Sequence, residues 1–333
     1  MKVFVTRLLP NPGLAKILEH FETKVWEEEY PPRADEIIKH AKDCEGVVTL
    51  LSDPISSNII EKLSNLKIIA QYAVGYDNID LVAASKRGII ITNTPGVLTE
   101  TTADLTWALI LAVSRRIVEA DKYVREGNWN VAWGPTLLTG TDIHGSTLGI
   151  IGLGRIGAEV ARRTKGFSMN VIYTSRSDTK ITRAIERETD AKRVDLETLL
   201  MQSDIVSIHV PLTDETTGMI GNEQLDLMKE NAIIINTSRG QVVDESALIE
   251  ALQEKKIRGA GLDVFQNEPV EKDNPLLQLN NVVILPHIGS ASIETRSKMA
   301  EMVFRNLMAY KNGEIPPNVV NSEVMQNGAK NTR

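Results

Sequence analysis

Two hydrophobic patterns alternate along this chain. Short continuous runs rich in Val, Ile and Leu occupy residues 3–6, 46–51, 66–71 and 88–92. Between them, residues 14–20, 34–41, 56–63 and 81–87 carry apolar side chains three and four positions apart. The runs predict strands and the spaced stretches predict amphipathic helices. Their alternation predicts parallel βαβ units, which right-handed crossovers collect into an open sheet with helices on both faces.

The pattern changes at residues 101–123, where apolar positions cover much of one long predicted helix. Such a helix is buried or sits at an interface. Residues 127–145 then lose periodicity and carry Trp129, Trp133, Gly134 and Pro135. An irregular segment of that length predicts a functional or assembly arm. A second alternating series follows. Strands are expected at 147–151, 170–174, 205–210, 232–236, 259–263 and 282–285, with helices near 156–165, 196–201, 223–228 and 245–253. A closing helix is expected at 293–312, and the polar tail from Glu323 is expected to be loose.

Composition narrows the classes. The chain has 333 residues, enough for about two domains. Its 42% hydrophobic content supports real cores. A net charge of -7 argues against nucleic-acid binding. One cysteine, Cys44, makes no internal disulfide, which points to a reducing compartment. No apolar run approaches the roughly 20 residues of a membrane span. Met1 leads directly into the first predicted strand, with no basic, apolar leader. The expectation is a soluble, cytoplasmic α/β protein with no metal site.

Gly152-Leu153-Gly154-Arg155-Ile156-Gly157 follows an apolar predicted strand and opens a predicted helix. That context turns a weak glycine pattern into a dinucleotide fingerprint. The glycines permit the tight turn, the approach of a pyrophosphate and close helix–strand packing. The helix N-terminus adds free N–H groups and a positive dipole end. An NAD site usually carries an acid roughly 20 residues further on, at the tip of the second strand. Here that tip reads Tyr173-Thr174-Ser175-Arg176-Ser177. A guanidinium and two hydroxyls suit a 2′-phosphate, so NADP(H) is expected to be preferred over NAD(H). Asp178 would hold a ribose instead if the strand ended late.

Three polar residues follow predicted strand ends in the second series: Arg239, Glu268 and His287. Ligands of open α/β sheets bind at those ends, so the three are expected to converge. The set suits reduction of a keto acid. Arg forks onto the substrate carboxylate, His gives a proton to the carbonyl oxygen, and the acid fixes the ring. His209 also ends a predicted strand and is a weaker candidate.

Further motifs surround these residues: Ala73-Val74-Gly75-Tyr76-Asp77-Asn78-Ile79-Asp80, Asn93-Thr94-Pro95, Thr102-Ala103-Asp104, His209-Val210-Pro211-Leu212, Asn236-Thr237-Ser238-Arg239-Gly240, Gly261-Leu262-Asp263-Val264-Phe265 and Pro286-His287-Ile288-Gly289-Ser290. With the glycine loop they run in one order over nearly the whole chain, which resembles the D-isomer-specific 2-hydroxyacid dehydrogenases. Ser175-Arg176-Ser177, Ala132-Trp133-Gly134-Pro135 and the closing Gly313-Glu314-Ile315-Pro316-Pro317-Asn318 resemble the glyoxylate/hydroxypyruvate reductases within that family.

The resemblance implies a Rossmann NAD(P)-binding domain, residues 98–289, inserted in a flavodoxin-like substrate domain, residues 1–97 and 290–333. It implies that Arg239, Glu268 and His287 are catalytic, with His287 the proton donor. Substrate would meet Leu51, Val74, Gly75, Arg239 and His287, with Leu50 beside Leu51. Cofactor would meet Thr102, Leu153, Gly154, Arg155, Ile156, Ser175, Arg176, Ser177, Thr237, Ser238, Arg239, Asp263, His287 and Gly289. Within that set Thr102 would hold a phosphate and Asp263 the carboxamide. It further implies a homodimer through residues 120–145, where Trp133 either enters the partner's active site or only anchors the interface. The activity implied is NADPH-dependent reduction of glyoxylate and hydroxypyruvate to glycolate and D-glycerate. The alternatives are a D-lactate, 3-phosphoglycerate or phosphite dehydrogenase, or a dinucleotide-sensing binding protein of the corepressor kind.

Overall fold

A computed structural model describes residues 1–328. The chain divides into two compact units, one formed by Met1–Leu98 with the residues from Ser290 onward, the other by Thr99–Gly289.

The first unit begins β1 (Lys2–Val5), α1 (Gly13–His20), β2 (Glu22–Val25), α2 (Ala34–Ala41), β3 (Gly46–Thr49), α3 (Ser57–Lys62), β4 (Ile68–Gln71), α4 (Leu81–Lys86) and β5 (Ile90–Thr92). The strands form a parallel sheet in the order β2-β1-β3-β4-β5, the flavodoxin-like arrangement. Phe4, Ile37, Val47, Ile59, Ile69 and Ile91 pack in one core on this sheet. Strand β2 carries no apolar run (Glu22-Thr23-Lys24-Val25), because an edge strand is covered on one side only. Hydrophobic pattern alone does not mark it.

The second unit opens with α5 (Thr99–Ser114) and α6 (Ile117–Arg125). The single helix expected over 101–123 is corrected here. Arg116 takes a left-handed backbone, φ 53°, and ends the first helix, while its guanidinium binds Glu119 at 2.7 Å. Helix α5 is buried along one side, whereas α6 buries none of its residues. The series continues β6 (Thr147–Ile151), α7 (Arg155–Arg163), β7 (Asn170–Thr174), α8 (Lys180–Thr189), β8 (Lys192–Arg193), α9 (Leu196–Gln202), β9 (Ile205–Ile208), α10 (Asn222–Asp226), β10 (Ile233–Asn236), α11 (Glu245–Gln253), β11 (Gly259–Leu262) and β12 (Val282–Ile284). Its parallel sheet runs β12-β11-β10-β9-β6-β7-β8, a Rossmann order extended by a seventh strand. One core packs Val206, Ile234 and Leu248; a second packs Ile150, Val160 and Ile235, with Trp107 stacked on Phe167. Strand β8 and helix α8 are dominated by charged side chains, so hydrophobic pattern does not mark them either.

The chain then returns to the first unit with α12 (Ile293–Lys311), which packs on α1 where Gly13 leaves no room for a Cβ against Ala300. The next segment lies along β5. The Val320 amide donates to the Ile91 carbonyl at 2.8 Å, and the Asn321 side chain bonds the backbone of Ile89 and Ile91 at 2.8 Å each. This covers a sheet edge that would otherwise stay open. The tail expected to be loose from Glu323 instead forms α13 (Glu323–Gly328); its last five residues, 329–333, lie outside the described residues. Among the described residues, no helix is long and apolar enough to cross a membrane.

Candidate active site

Register places the site in the second unit. Ile151, Ile208, Asn236, Leu262 and Ile284 lie side by side across β6, β9, β10, β11 and β12. All strands point the same way, so the residues that follow emerge on one edge: Gly152, His209, Thr237, Asp263 and Leu285. The strand order reverses between β6 and β9, the switch point where open sheets take their ligands.

Gly152 turns sharply after β6 with φ +95°, and a Cβ there would lie 2.7 Å from the His209 carbonyl oxygen. Only glycine fits this turn. Gly154 caps α7, and a Cβ on it would meet nothing within 4 Å. That open space sits above the first turn of α7, which begins at Arg155 and Ile156 and carries no acid. Free helix N–H groups, a positive dipole end and an unobstructed backbone fit a pyrophosphate. Leu153 is buried beneath the loop.

Ser175, Arg176 and Ser177 leave the end of β7. The Ser175 hydroxyl donates to the Ser177 carbonyl at 3.3 Å, and Arg176 and Ser177 are exposed. The nearby acid is otherwise engaged. Arg183 grips Asp178 at 2.9 Å and the Thr182 hydroxyl adds 3.2 Å. The bond from Arg183 is the main reason that Asp178 is held below the usual carboxylate range.

The Arg239 backbone is fixed by its neighbours. Its carbonyl accepts from the Asn236 amide group at 2.9 Å, and Asn236 Oδ1 accepts from the Ser238 amide at 3.0 Å. A Cβ on Gly240 would fall on the Phe265 carbonyl group. Glycine thus lets the loop after β10 press against the loop after β11. Thr237 and Thr106 hydroxyls stand 3.0 Å apart.

His287 and Glu268 meet: Nδ1 lies 2.7 Å from Oε2, and Glu268 Oε1 accepts the Phe265 amide at 3.0 Å. Burial pushes the Glu268 carboxyl up, but the His287 hydrogen bond and charge, the Phe265 amide and the Arg239 charge together hold it below the ordinary glutamate value. His287 is left-handed, φ 54°, a conformation that costs a non-glycine residue energy and clusters at functional sites. Asp263 sustains it. Its two oxygens accept the Ile288 and Gly289 amides at 2.7 Å each, clamping the loop that carries His287. Burial is the leading influence on Asp263 and raises its pKa. The motif that assigns Asp263 to the cofactor gives no sign of this clamp. Thr102, buried on α5, lies beside Gly289.

His209 points elsewhere. It pairs with the Ser207 hydroxyl at 2.8 Å, and burial pushes its pKa down to about 3. Burial thus favours its neutral ring, which suits a proton donor less well than His287.

The first unit carries its own ordered loops. Gln71 is fully buried; it accepts from Thr49 at 2.5 Å and donates to Asn78 Oδ1 at 2.8 Å and to the Gly75 carbonyl at 3.2 Å. Asn78 in turn donates to the carbonyls of Leu50 at 3.0 Å and Asp53 at 2.8 Å. Asn93 binds the Val74 carbonyl at 2.8 Å. The network ties the Leu50–Leu51 loop to the Val74–Gly75 loop, and none of these bonds uses the Val74 or Gly75 amide. Gln71 carries no signal in the sequence, because it sits at the end of an otherwise apolar strand.

Comparison with known proteins follows the same lines. The family model "D-isomer specific 2-hydroxyacid dehydrogenase, NAD binding domain" matches residues 107–289. A glyoxylate reductase of Korarchaeum cryptofilum is 58% identical over 325 residues, 98% of this chain and 97% of that protein. A solved structure from Thermus thermophilus is 45% identical with a TM-score of 0.89, covering 96% of this chain and 100% of that one. The NADPH-dependent glyoxylate/hydroxypyruvate reductase of Sinorhizobium meliloti, solved with NADP and malonate, is 33% identical with a TM-score of 0.85, covering 96% of each chain.

Proposed function

We propose that this chain, which belongs to the D-isomer specific 2-hydroxyacid dehydrogenase family, reduces glyoxylate and hydroxypyruvate to glycolate and D-glycerate, preferring NADPH. The observation that carries the reading is the 2.7 Å His287–Glu268 pair, within reach of the Arg239 charge on the carboxyl edge of the second unit. The names of the relatives support the substrate class.

Bound reduced nicotinamide dinucleotide supplies the hydride. The Gly152–Gly157 loop and the first turn of α7 hold its pyrophosphate, with Thr102 and Gly289 lining the site. Asp263 holds the carboxamide while it clamps the His287 loop. Arg239 forks onto the substrate carboxylate and carbonyl. Of the first unit, the Val74 and Gly75 amides and Leu51 are the groups that meet the substrate in this reading. Glu268 occupies Nδ1 of His287, so the proton given to the carbonyl oxygen comes from Nε2. Glu268 also steadies the charged ring before transfer.

The cofactor preference rests on Ser175, Arg176 and Ser177. Their loop presents a guanidinium and hydroxyls, while the neighbouring acid, Asp178, is held by Arg183.

The second unit also supports a homodimer. Val124 of α6 lines a surface hollow with Trp129, Trp133 and Leu137, all exposed, and Trp133 is 77% exposed. A patch this apolar suits a second copy of this chain. Trp133 belongs to that contact.

The test is oxidation of NADPH and NADH with glyoxylate, hydroxypyruvate, pyruvate and phosphite as paired substrates. Efficient glyoxylate reduction with NADPH is expected. Activity confined to pyruvate or phosphite, or no turnover with any substrate, overturns the reading. Light scattering of the purified chain reads its oligomeric state.

A further inference from the structure

Strand β8 is short, polar and exposed, and adds little to the sheet it borders. Its pairing nevertheless sets Arg193 opposite Tyr173, beside the loop that leaves β7. The Arg193 guanidinium reaches over that loop and donates through Nη2 to the Ser175 carbonyl and, at 3.4 Å, to the Arg176 carbonyl. Its Nε and Nη1 donors make no hydrogen bond among the described residues, and no carboxylate there lies within ion-pairing distance of Arg193. Arg183, the other nearby guanidinium, is committed to Asp178 at 2.9 Å. The Thr213 hydroxyl chiefly lowers the Glu215 carboxyl and the Arg176 charge does so only weakly; the Arg183 bond chiefly lowers Asp178, and the Arg193 charge is likewise the smallest of the influences that do so.

A 2′-phosphate carries close to two negative charges and accepts hydrogen bonds in several directions, so one guanidinium leaves it half-matched. Arg193 brings a second fork to the same loop, braced by the carbonyls of Ser175 and Arg176. We propose that Arg193 is a specificity residue for the cofactor, pairing with Arg176 at the adenosine 2′-phosphate while its third nitrogen fixes the Ser175–Arg176 backbone. This rests on the NADPH preference proposed above.

The test is direct binding, measured by fluorescence or calorimetric titration of the full chain with NADPH, NADH and 2′,5′-ADP. Arg193→Gln is expected to raise the Kd for NADPH and 2′,5′-ADP about tenfold or more, leave NADH within about twofold, and flatten the salt dependence of NADPH binding. Arg193→Lys keeps the charge and loses the fork, and is expected to fall between. Equal weakening of NADPH and NADH makes Arg193 a brace only and overturns the proposal. So does an unchanged NADPH Kd in the glutamine variant of a chain that prefers NADPH. A wild-type chain that binds NADH as tightly as NADPH overturns instead the reading on which the proposal rests.

Discussion

Nδ1 of His287 stands 2.7 Å from Oε2 of Glu268, and the other oxygen of Glu268 is held by the Phe265 amide at 3.0 Å. The carboxylate is therefore fixed before it orients the ring. Glu268→Gln keeps the shape and removes the charge. Turnover is expected to fall roughly 10- to 1,000-fold with little change in KM, and His287→Ala to fall about 10²- to 10⁴-fold. Steady-state rates at neutral pH read both. Near-full activity of His287→Ala would remove the proton-donor role.

Arg239 differs in what it does. As the proposed fork on the substrate, it would act in both ground and transition states. Arg239→Ala should raise KM and lower turnover together, and Arg239→Lys should restore little, because an ammonium cannot form two parallel bonds to a carboxylate. A lysine variant with wild-type KM would contradict the bidentate role.

His209 makes stability depend on pH. Burial lowers it from 6.5 to about 3, so the folded chain favours the neutral ring more than the unfolded chain does. Its contribution is complete above about pH 6.5 and is lost as pH falls toward 3, with a slope no steeper than about 1.4 kcal/mol per unit. His209→Gln should flatten the stability profile across that window, as followed by denaturant melts from pH 7 to 4. An unchanged profile would mean that the ring accepts charge when folded.

Gln71 and Asn78 test the first unit separately. Gln71→Leu removes buried bonds to Thr49, Asn78 and Gly75, and Asn78→Ala removes those to Leu50 and Asp53. Each should cost about 1–3 kcal/mol of stability. Each should also raise KM for glyoxylate while leaving the NADPH Kd within about twofold. Weakened cofactor binding without a KM effect would sever these loops from the substrate.

Interior features were legible along the chain. Runs such as Ile68–Gln71 and Ile233–Asn236 are buried on both faces, so hydrophobicity alone marks them. Edges and breaks were not. Strands β2 and β8 are polar because only one side of each is covered, and the end of α5 is a left-handed turn at Arg116 that periodicity cannot register. Arg239, Glu268 and His287 could be chosen because each follows a strand, and parallel strands deliver such residues to one edge.

The amino-acid sequence by itself determined the α/β class, the glycine loop, the family and the residue types at the strand ends. Those follow from local pattern and chemistry. Tertiary structure decided the partnerships: Asp178 with Arg183, Asp263 with the Ile288 and Gly289 amides, Arg193 with the Ser175 carbonyl, and Gln71 with Asn78. A carboxylate, amide or guanidinium can serve many partners. Which one it serves is set by how the loops turn after each strand and by which strands lie side by side; Arg183 reaches Asp178 from five residues away, whereas the Asp263 and Arg193 pairs depend on packing between residues distant in the chain.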